Sequence, residues 1–504
     1  WCGTVSAPFS FEVFTNSSNS TVLRLLAHYN GHLKNSFSDF LIGGEAQVGS
    51  QLQEAACRNP NRFISVLLHH WNHIPNRFRN DLLDGAATYL AVRHGNLQPS
   101  GNWENVKEAD PVALAQDILN VLEKYPEHWH HNRTAAKALE SCAHVISDTQ
   151  TAERLVLLSR DFLTLDEPDR TSGSSRDLLN VGINMAKGNA VGSLMVLAIK
   201  LLKNRTPLPE TLVPTLQGLA GDADPAVRAV MLRRLPYLQS LAPELGWQLF
   251  DIGMGQVTTA PGLWAMAEPC LYHAYHQHFE TVRPWLAQLA TNGSGKDLET
   301  WGRIAALAAL SCQLDFGELL DDLRSMDSTD AWRGATSVWS HPENHQRHTT
   351  QCSGGLEAGM TANNQHAVAV ARKFRNLFRD TTPLTVLPLP SLQMCFDLLA
   401  NDPDSGRRDT YGFDEWLNAT SQTAPDDALA AAEIYVDFVR RTRPYLFDHE
   451  NNLTQLLTHL FAYAEEMEES DSGEMIQRVV KLQDALLALG VNGMDEWLKA
   501  AERL

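Results

Sequence analysis

Gly218-Leu219-Ala220-Gly221-Asp222-Ala223-Asp224-Pro225-Ala226-Val227-Arg228-Ala229-Val230-Met231-Leu232-Arg233-Arg234-Leu235-Pro236 is the stretch whose reading decides the fold. A helix ends near its first glycines, and an aspartate-rich turn follows. Pro225 suits the first turn of the next helix, where its missing N–H costs nothing. Asp222 or Asp224 can cap that helix and meet its dipole. Val227, Val230, Met231 and Leu235 then recur at helical spacing.

The pattern Asp222-x-x-Pro225-x-Val227-Arg228, followed by spaced apolar residues, resembles the inner turn of a HEAT-type repeat. In such turns the aspartate and the arginine tie neighbouring helix pairs together. A single copy is equally compatible with an ordinary capped helix, so the rest of the chain has to be read for stacked pairs.

Working outward, the rhythm is helical on both sides. Val48, Leu52, Ala55 and Ala56 share a face that Asn59-Pro60 breaks. Arg62 to Leu68 restarts it, and Phe78, Leu82, Leu83, Ala86 and Leu90 form the next face before Gly95-Asn96. Pro111 to Glu123, Arg133 to Ile146, Glu153 to Leu163, Leu178 to Ala186 and Gly192 to Leu202 continue the series. After the opening stretch come Trp264 to His278, Val282 to Ala290, Trp301 to Ser311 and Phe316 to Ser325. Near the start, Phe9 to Phe14 alternates like a short strand. No sustained period of two follows it, so the body is expected to be all-α.

Two polar or extended breaks divide the chain. Asp166 to Ser175 reads as a loop or linker, and Thr381 to Pro390 as an extended, proline-rich boundary. The expected organisation is an α-solenoid of HEAT- or TPR-like helix pairs. It has an N-terminal repeat segment (1–165), a central HEAT-like segment (166–380) and a C-terminal helical subdomain (381–504). In the last, Met475, Ile476, Val479, Val480, Leu486 and Leu487 give one apolar face, and Gly490 is placed as a helix C-cap.

The 504 residues are too many for one ordinary core, which suits a solenoid. Forty-one basic residues stand against 60 acidic ones, a net charge of −19. On that balance no direct nucleic-acid contact and no acidic-membrane surface are expected. Seven scattered cysteines without a C-x-x-C, and no apolar run of membrane-spanning length, point to a reducing, cytoplasmic setting. The chain opens at Trp1 with no signal-like segment, as a piece of a longer protein would.

Asn292-Gly293-Ser294-Gly295-Lys296-Asp297 invites a phosphate-loop reading and fails it. The Walker pattern needs glycine where Ala290 stands and Ser or Thr where Asp297 stands. No nucleophile elbow, H-E-x-x-H or kinase signature occurs. His341, His345, His348 and Cys352 are the most metal-like set, with spacings that share one helical face. A continuous helix spreads them over roughly 16 Å, too far for one zinc ion to collect. At most an i,i+4 pair contributes, so no metal is assigned. His128, Trp129, His130 and His131 form a second cluster, expected on an exposed turn. Tyr272, Tyr275 and His276 form a third, on an aromatic-rich helix. Aromatic stripes are usually core, yet a solenoid can expose them, and such residues dominate binding hot spots. Both clusters are carried forward as candidate partner-binding residues.

The chain resembles the C-terminal part of large bacterial antiviral STAND NTPases of the AVAST (Avs-like) kind. The resemblance lies in Asn59-Pro60-Asn61-Arg62-Phe63, Asp222 to Pro236, Leu271-Tyr272-His273-Ala274-Tyr275, Trp301-Gly302-Arg303-Ile304 and Ala331-Trp332-Arg333-Gly334-Ala335. It continues in the tail, in Tyr445 to Leu453 and Leu486 to Leu498, its most specific part. The resemblance implies a helical-repeat sensor, itself not an enzyme, that recognises a phage protein of packaging, portal or capsid type. Recognition would release an NTPase module, elsewhere in the same polypeptide, to oligomerise and activate an effector. ATP and magnesium would belong to that module, leaving no cofactor in this chain. The alternative is a helical-repeat scaffold or adaptor for a cellular protein.

Overall fold

The computed structural model describes residues 6–31, 43–130, 132–163, 177–255, 257–361, 364–378, 384, 387–404, 407–442, 448–471 and 473–491. Among them there is no strand, and the fold is all-α, a helical repeat. None of their helices is long and apolar enough to cross a membrane. The chain forms two units, Trp1–Cys270 and Leu271–Leu504. The expected three-part division at 165 and 380 is a different partition. Residues 164–176 and most of 379–386, where those breaks were placed, lie outside the described residues.

In the first unit ten helices make five consecutive pairs. They are α1 (Glu45–Arg58) with α2 (Pro60–His69), α3 (Asn76–His94) with α4 (Pro111–Lys124), and α5 (Arg133–Ala143) with α6 (Thr149–Leu163). Then come α7 (Ala186–Lys203) with α8 (Leu212–Ala220), and α9 (Pro225–Leu241) with α10 (Pro243–Met254). Each odd-numbered helix packs on the next odd one, and each even on the next even, so the pairs stack as two layers. This is the arrangement of a solenoid, in which each pair buries its apolar faces against its neighbours.

The second unit repeats the plan with α11 (Lys296–Leu310) and α12 (Phe316–Met326), α13 (Thr329–Trp339) and α14 (Thr349–Met360), and α15 (Ala367–Phe374) and α16 (Leu389–Ala400). The last two pairs are α17 (Phe413–Ser421) with α18 (Pro425–Thr442), and α19 (Asn452–Asp471) with α20 (Glu474–Ala488). Its odd helices form one layer and its even helices the other. The Arg375–Phe378 turn carries the contact from α15 to α17.

Proline and aspartate set the helix starts. Pro60, Pro111, Pro225, Pro243 and Pro425 each open a helix, the position where proline loses no hydrogen bond. Asp110 caps α4 by accepting from the Val112 and Ala113 amides at 2.9 and 3.2 Å. Asp110→Ala is expected to cost about 1 kcal/mol, read as a lower urea midpoint. At the far end Gly490, at φ +73°, closes α20: its N–H donates to the Leu487 carbonyl and the Val491 N–H to the Leu486 carbonyl. That is a Schellman closure, as placed from the sequence. The apolar face of α20 is narrower than expected, since Met475, Val479 and Leu486 are buried while Val480 is exposed.

The strand expected over Phe9–Phe14 is a correction. Phe11–Asn16 is a short helix, followed by Asn19–Tyr29. Arg62 donates to the carbonyls of Phe14 and Thr15, at 3.2 and 2.8 Å. A tertiary contact thus satisfies the helix end, and six alternating residues could not announce it.

The opening stretch folds as read, with its roles divided. Asp224 caps α9 through the Ala226 amide at 2.8 Å, and Pro225 is its first residue. Asp222 accepts the Lys187 ammonium at 2.5 Å, reaching back to α7 of the preceding pair. Arg228 is 3 % exposed and donates to the Gly253 carbonyl at 3.2 Å. Gly253 lies in the last turn of α10, so the arginine acts inside its own pair, at the negative end of that helix. The tie between repeats is carried by the aspartate.

Candidate functional site

The histidine cluster after α4 divides on folding. Pro126–Trp129 is a helical turn, and Trp129 is buried with its ring N–H donating to the Val121 carbonyl at 3.2 Å. His128 bonds Asn80 at 3.2 Å, and burial pushes its pKa down. His130 is exposed, and His131 lies outside the described residues. The expected exposed turn is therefore corrected at Trp129, which belongs to the core. Around it Trp71 stacks on Tyr125 at 3.8 Å, and the Arg79 guanidinium sits 4.2 Å from the Trp71 ring centroid. Sequence reading missed Trp71 and Arg79 because they lie just before α3 and on α3, about 50 residues from the cluster in the chain.

Tyr272, Tyr275 and His276 lie in the second unit. Tyr272 is 41 % exposed, and burial pushes the Tyr275 phenol up. Their ring centroids are 6.4 Å apart. His341, His345, His348 and Cys352 do not share one helix, which corrects the single face read from their spacing. Pro342–Arg347 is a short helix, and His348 is the non-helical residue before α14. His345 is buried and faces the Ser353 hydroxyl at 3.2 Å, Cys352 is buried with its thiol pushed up to about 12 by burial, and His341 is exposed. Among the described residues no three His, Cys, Asp or Glu side chains converge to hold a metal.

The first unit carries a groove along its even-numbered layer. A cavity of about 1130 Å³ runs across α4, α6 and α8. Its apolar lining is Leu157, Leu158, Pro214 and Leu219, and its charged lining includes Glu123, Arg154, Arg160 and Glu210. A second cavity of about 390 Å³ adjoins it, sharing Leu158 and Asp161 and reaching Trp129 and His130. Leu157 is 48 % exposed. The walls are braced across helices. Arg154 on α6 forks onto Glu123 of α4 at 2.8 and 2.6 Å and reaches Asn120 at 2.8 Å. That pair raises the Arg154 pKa. The Thr211 hydroxyl donates to Glu153 at 2.8 Å.

Bidentate pairing of this kind fixes geometry and leaves the groove pre-formed. Its chemistry is that of binding: an apolar strip with charged rims, the make-up of a slot for an amphipathic protein segment. Elsewhere Thr329, His366 and Asp327 hydrogen-bond in series at 2.6 and 3.1 Å. They join the α12–α13 turn to the start of α15, and none of them lines either cavity.

No family model matches the chain, and no curated protein matches it in sequence. A solved structure of yeast Rmd9p in complex with a 16-nucleotide target RNA is similar over 99% of this chain and 98% of that one, at 10% identity and a TM-score of 0.24. So weak a likeness carries no argument about what this chain binds. The expectation of no direct nucleic-acid contact was read from net charge alone and is withdrawn. Net charge sums over the whole surface, whereas binding depends on local patches. What the chain is, on these observations, is an all-α helical-repeat protein.

Proposed function

We propose that this chain is the non-enzymatic sensor region of an antiphage STAND NTPase, and that it recognises a phage protein of packaging, portal or capsid type. The observation that carries the reading is the braced groove across α4, α6 and α8. A partner helix laid along it would bury its apolar face on Leu157, Leu158, Pro214 and Leu219. Its charged flanks would meet Arg160 and Glu210, which steer association and set register. The sequence resemblance supplies the consequence: binding releases the NTPase module, with its ATP and magnesium, to oligomerise and switch on the effector.

Co-expression of the chain with a panel of phage packaging, portal and capsid proteins, followed by pull-down, tests this. One of them is expected to form a stable complex. The exposed Leu157→Glu substitution, joined with Glu210→Arg, is expected to weaken it at least tenfold, since a hot-spot contact is worth about 2 kcal/mol. If no panel member is captured and the parent NTPase stays silent beside all of them, the reading fails.

A further inference from the structure

A separate cavity of about 340 Å³ opens on the odd-numbered layer of the first unit, between α5, α7, α9 and the short helix Leu178–Ile183. Glycines shape it. Gly188 of α7 meets the short helix so closely that a side-chain carbon on it would lie 2.0 Å from the Gly182 carbonyl oxygen. Gly182 in turn sits against α9, where a side-chain carbon would lie 2.4 Å from the Ala226 carbonyl oxygen. The short helix is thus wedged between α7 and α9. One turn along α7, Gly192 lies against the ion pair of Glu140 and Arg234. A side-chain carbon there would stand 2.8 Å from the Glu140 carboxylate and 3.7 Å from Arg234 Nη2. The pair therefore joins α5 to α9 across α7, and Gly188 and Gly192 add no side chain to the space beside it.

The walls are held in place. Asn189, 8 % exposed, donates to the Ile183 and Met185 carbonyls at 3.0 and 2.6 Å, which fixes the end of the short helix. Ile183 and Tyr237 line the cavity and are still 43 and 64 % exposed. They leave apolar surface that an occupant would cover. Among the described residues the charged lining is Glu140, Arg233 and Arg234. Glu140 and Arg234 compensate each other. Arg233 is exposed, and among the described residues its guanidinium makes no hydrogen bond or ion pair. The unmatched group is therefore one guanidinium, beside an aromatic ring and an aliphatic wall.

We propose that this cavity binds a small aromatic carboxylate. The ring would lie against Tyr237, Ile183 and Val230, and the carboxylate would take the Arg233 fork. The cavity is at the lower end of the size range of small-molecule sites, so one ring system with a short acidic arm fills it. Such an occupant touches three successive helix pairs at once and is expected to raise the unfolding temperature of the first unit. The site lies on the other layer from the groove across α4, α6 and α8, so the phage-protein reading and this one fail separately.

Ligand-observed NMR titration of the full chain with indole-3-propionate tests this, with tryptamine, the same ring on a cationic arm, run beside it. Indole-3-propionate is expected to bind with a Kd of about 1 mM or tighter, given its roughly 14 non-hydrogen atoms. Tryptamine is expected to bind at least about tenfold more weakly. Arg233→Gln is expected to weaken indole-3-propionate about tenfold, the effect of losing one charged hydrogen bond, and to remove the preference over tryptamine. Ile183→Trp is expected to fill the cavity and abolish binding. Lys203→Gln, an equal charge change in the last turn of α7, is expected to leave binding alone. Circular dichroism confirms that each variant is folded. Four results would overturn the proposal. They are no binding of indole-3-propionate by the folded chain at about 10 mM, equal affinity for the two ligands, an equal loss in Lys203→Gln, or undiminished binding by folded Ile183→Trp.

Discussion

Replacing Gly334 with alanine is expected to destabilise the second unit by about 3 kcal/mol, the upper range for overpacking a core. The new methyl carbon would lie 1.9 Å from the Glu299 carbonyl oxygen and 3.0 Å from the Arg303 amide nitrogen. Both are backbone atoms inside α11, so no side-chain rotation relieves the clash. The helices must separate along their contact, loosening the buried Trp332 and Trp339, whose rings pack 6.4 Å apart. Alanine is the better helix former by about 1 kcal/mol, which offsets only part of the loss. Urea unfolding followed by tryptophan fluorescence measures it. An unchanged midpoint would mean that the crossing yields freely.

Arg228→Ala is expected to cost the first unit about 2–3 kcal/mol, the value of a charged hydrogen bond plus the packing of its stem. The guanidinium is buried and bonds the Gly253 carbonyl, while its Nε has no hydrogen-bond partner. Burial pulls its pKa down, and only Asp222 and Asp224 oppose that. A buried charge so thinly satisfied holds position more than it adds stability. Arg228→Met, which keeps the length and drops the charge, is therefore expected to recover at least half the loss. The Lys187–Asp222 tie between pairs stays intact in both variants. Denaturation midpoints and phage-protein capture, measured side by side, decide the role. Capture abolished at unchanged stability would make Arg228 a contact residue and overturn the architectural assignment.

The candidate surfaces were less legible in the sequence than the helices. Leu157, Pro214 and Leu219 carry no motif, and they become a groove only when α6 and α8 lie side by side. Trp129 looked like a surface aromatic because its neighbours are histidines, yet the fold turns it inward against Val121. The metal-like spacing of His341 to Cys352 assumed one helix, and the non-helical backbone at His348 breaks it in two. Net charge was a poor guide to ligands, because it sums over the whole surface while binding depends on local patches.

What the sequence determined by itself is local. Asp110-Pro111 and Asp224-Pro225 mark helix starts, Gly490 marks an end, and the apolar spacing of Val227, Val230, Met231 and Leu235 marks a buried face. These signals act within a few residues, through backbone capping and helical periodicity, so a linear reading captures them. The tertiary structure alone decided which helices share a layer and which side chains meet. It joined Asp222 to Lys187, Arg154 to Glu123, and Gly334 to the backbone of Glu299 across successive pairs. Those meetings depend on how closely neighbouring helices approach, at positions such as Gly302 and Gly334, and that distance is a property of packing rather than of any one segment.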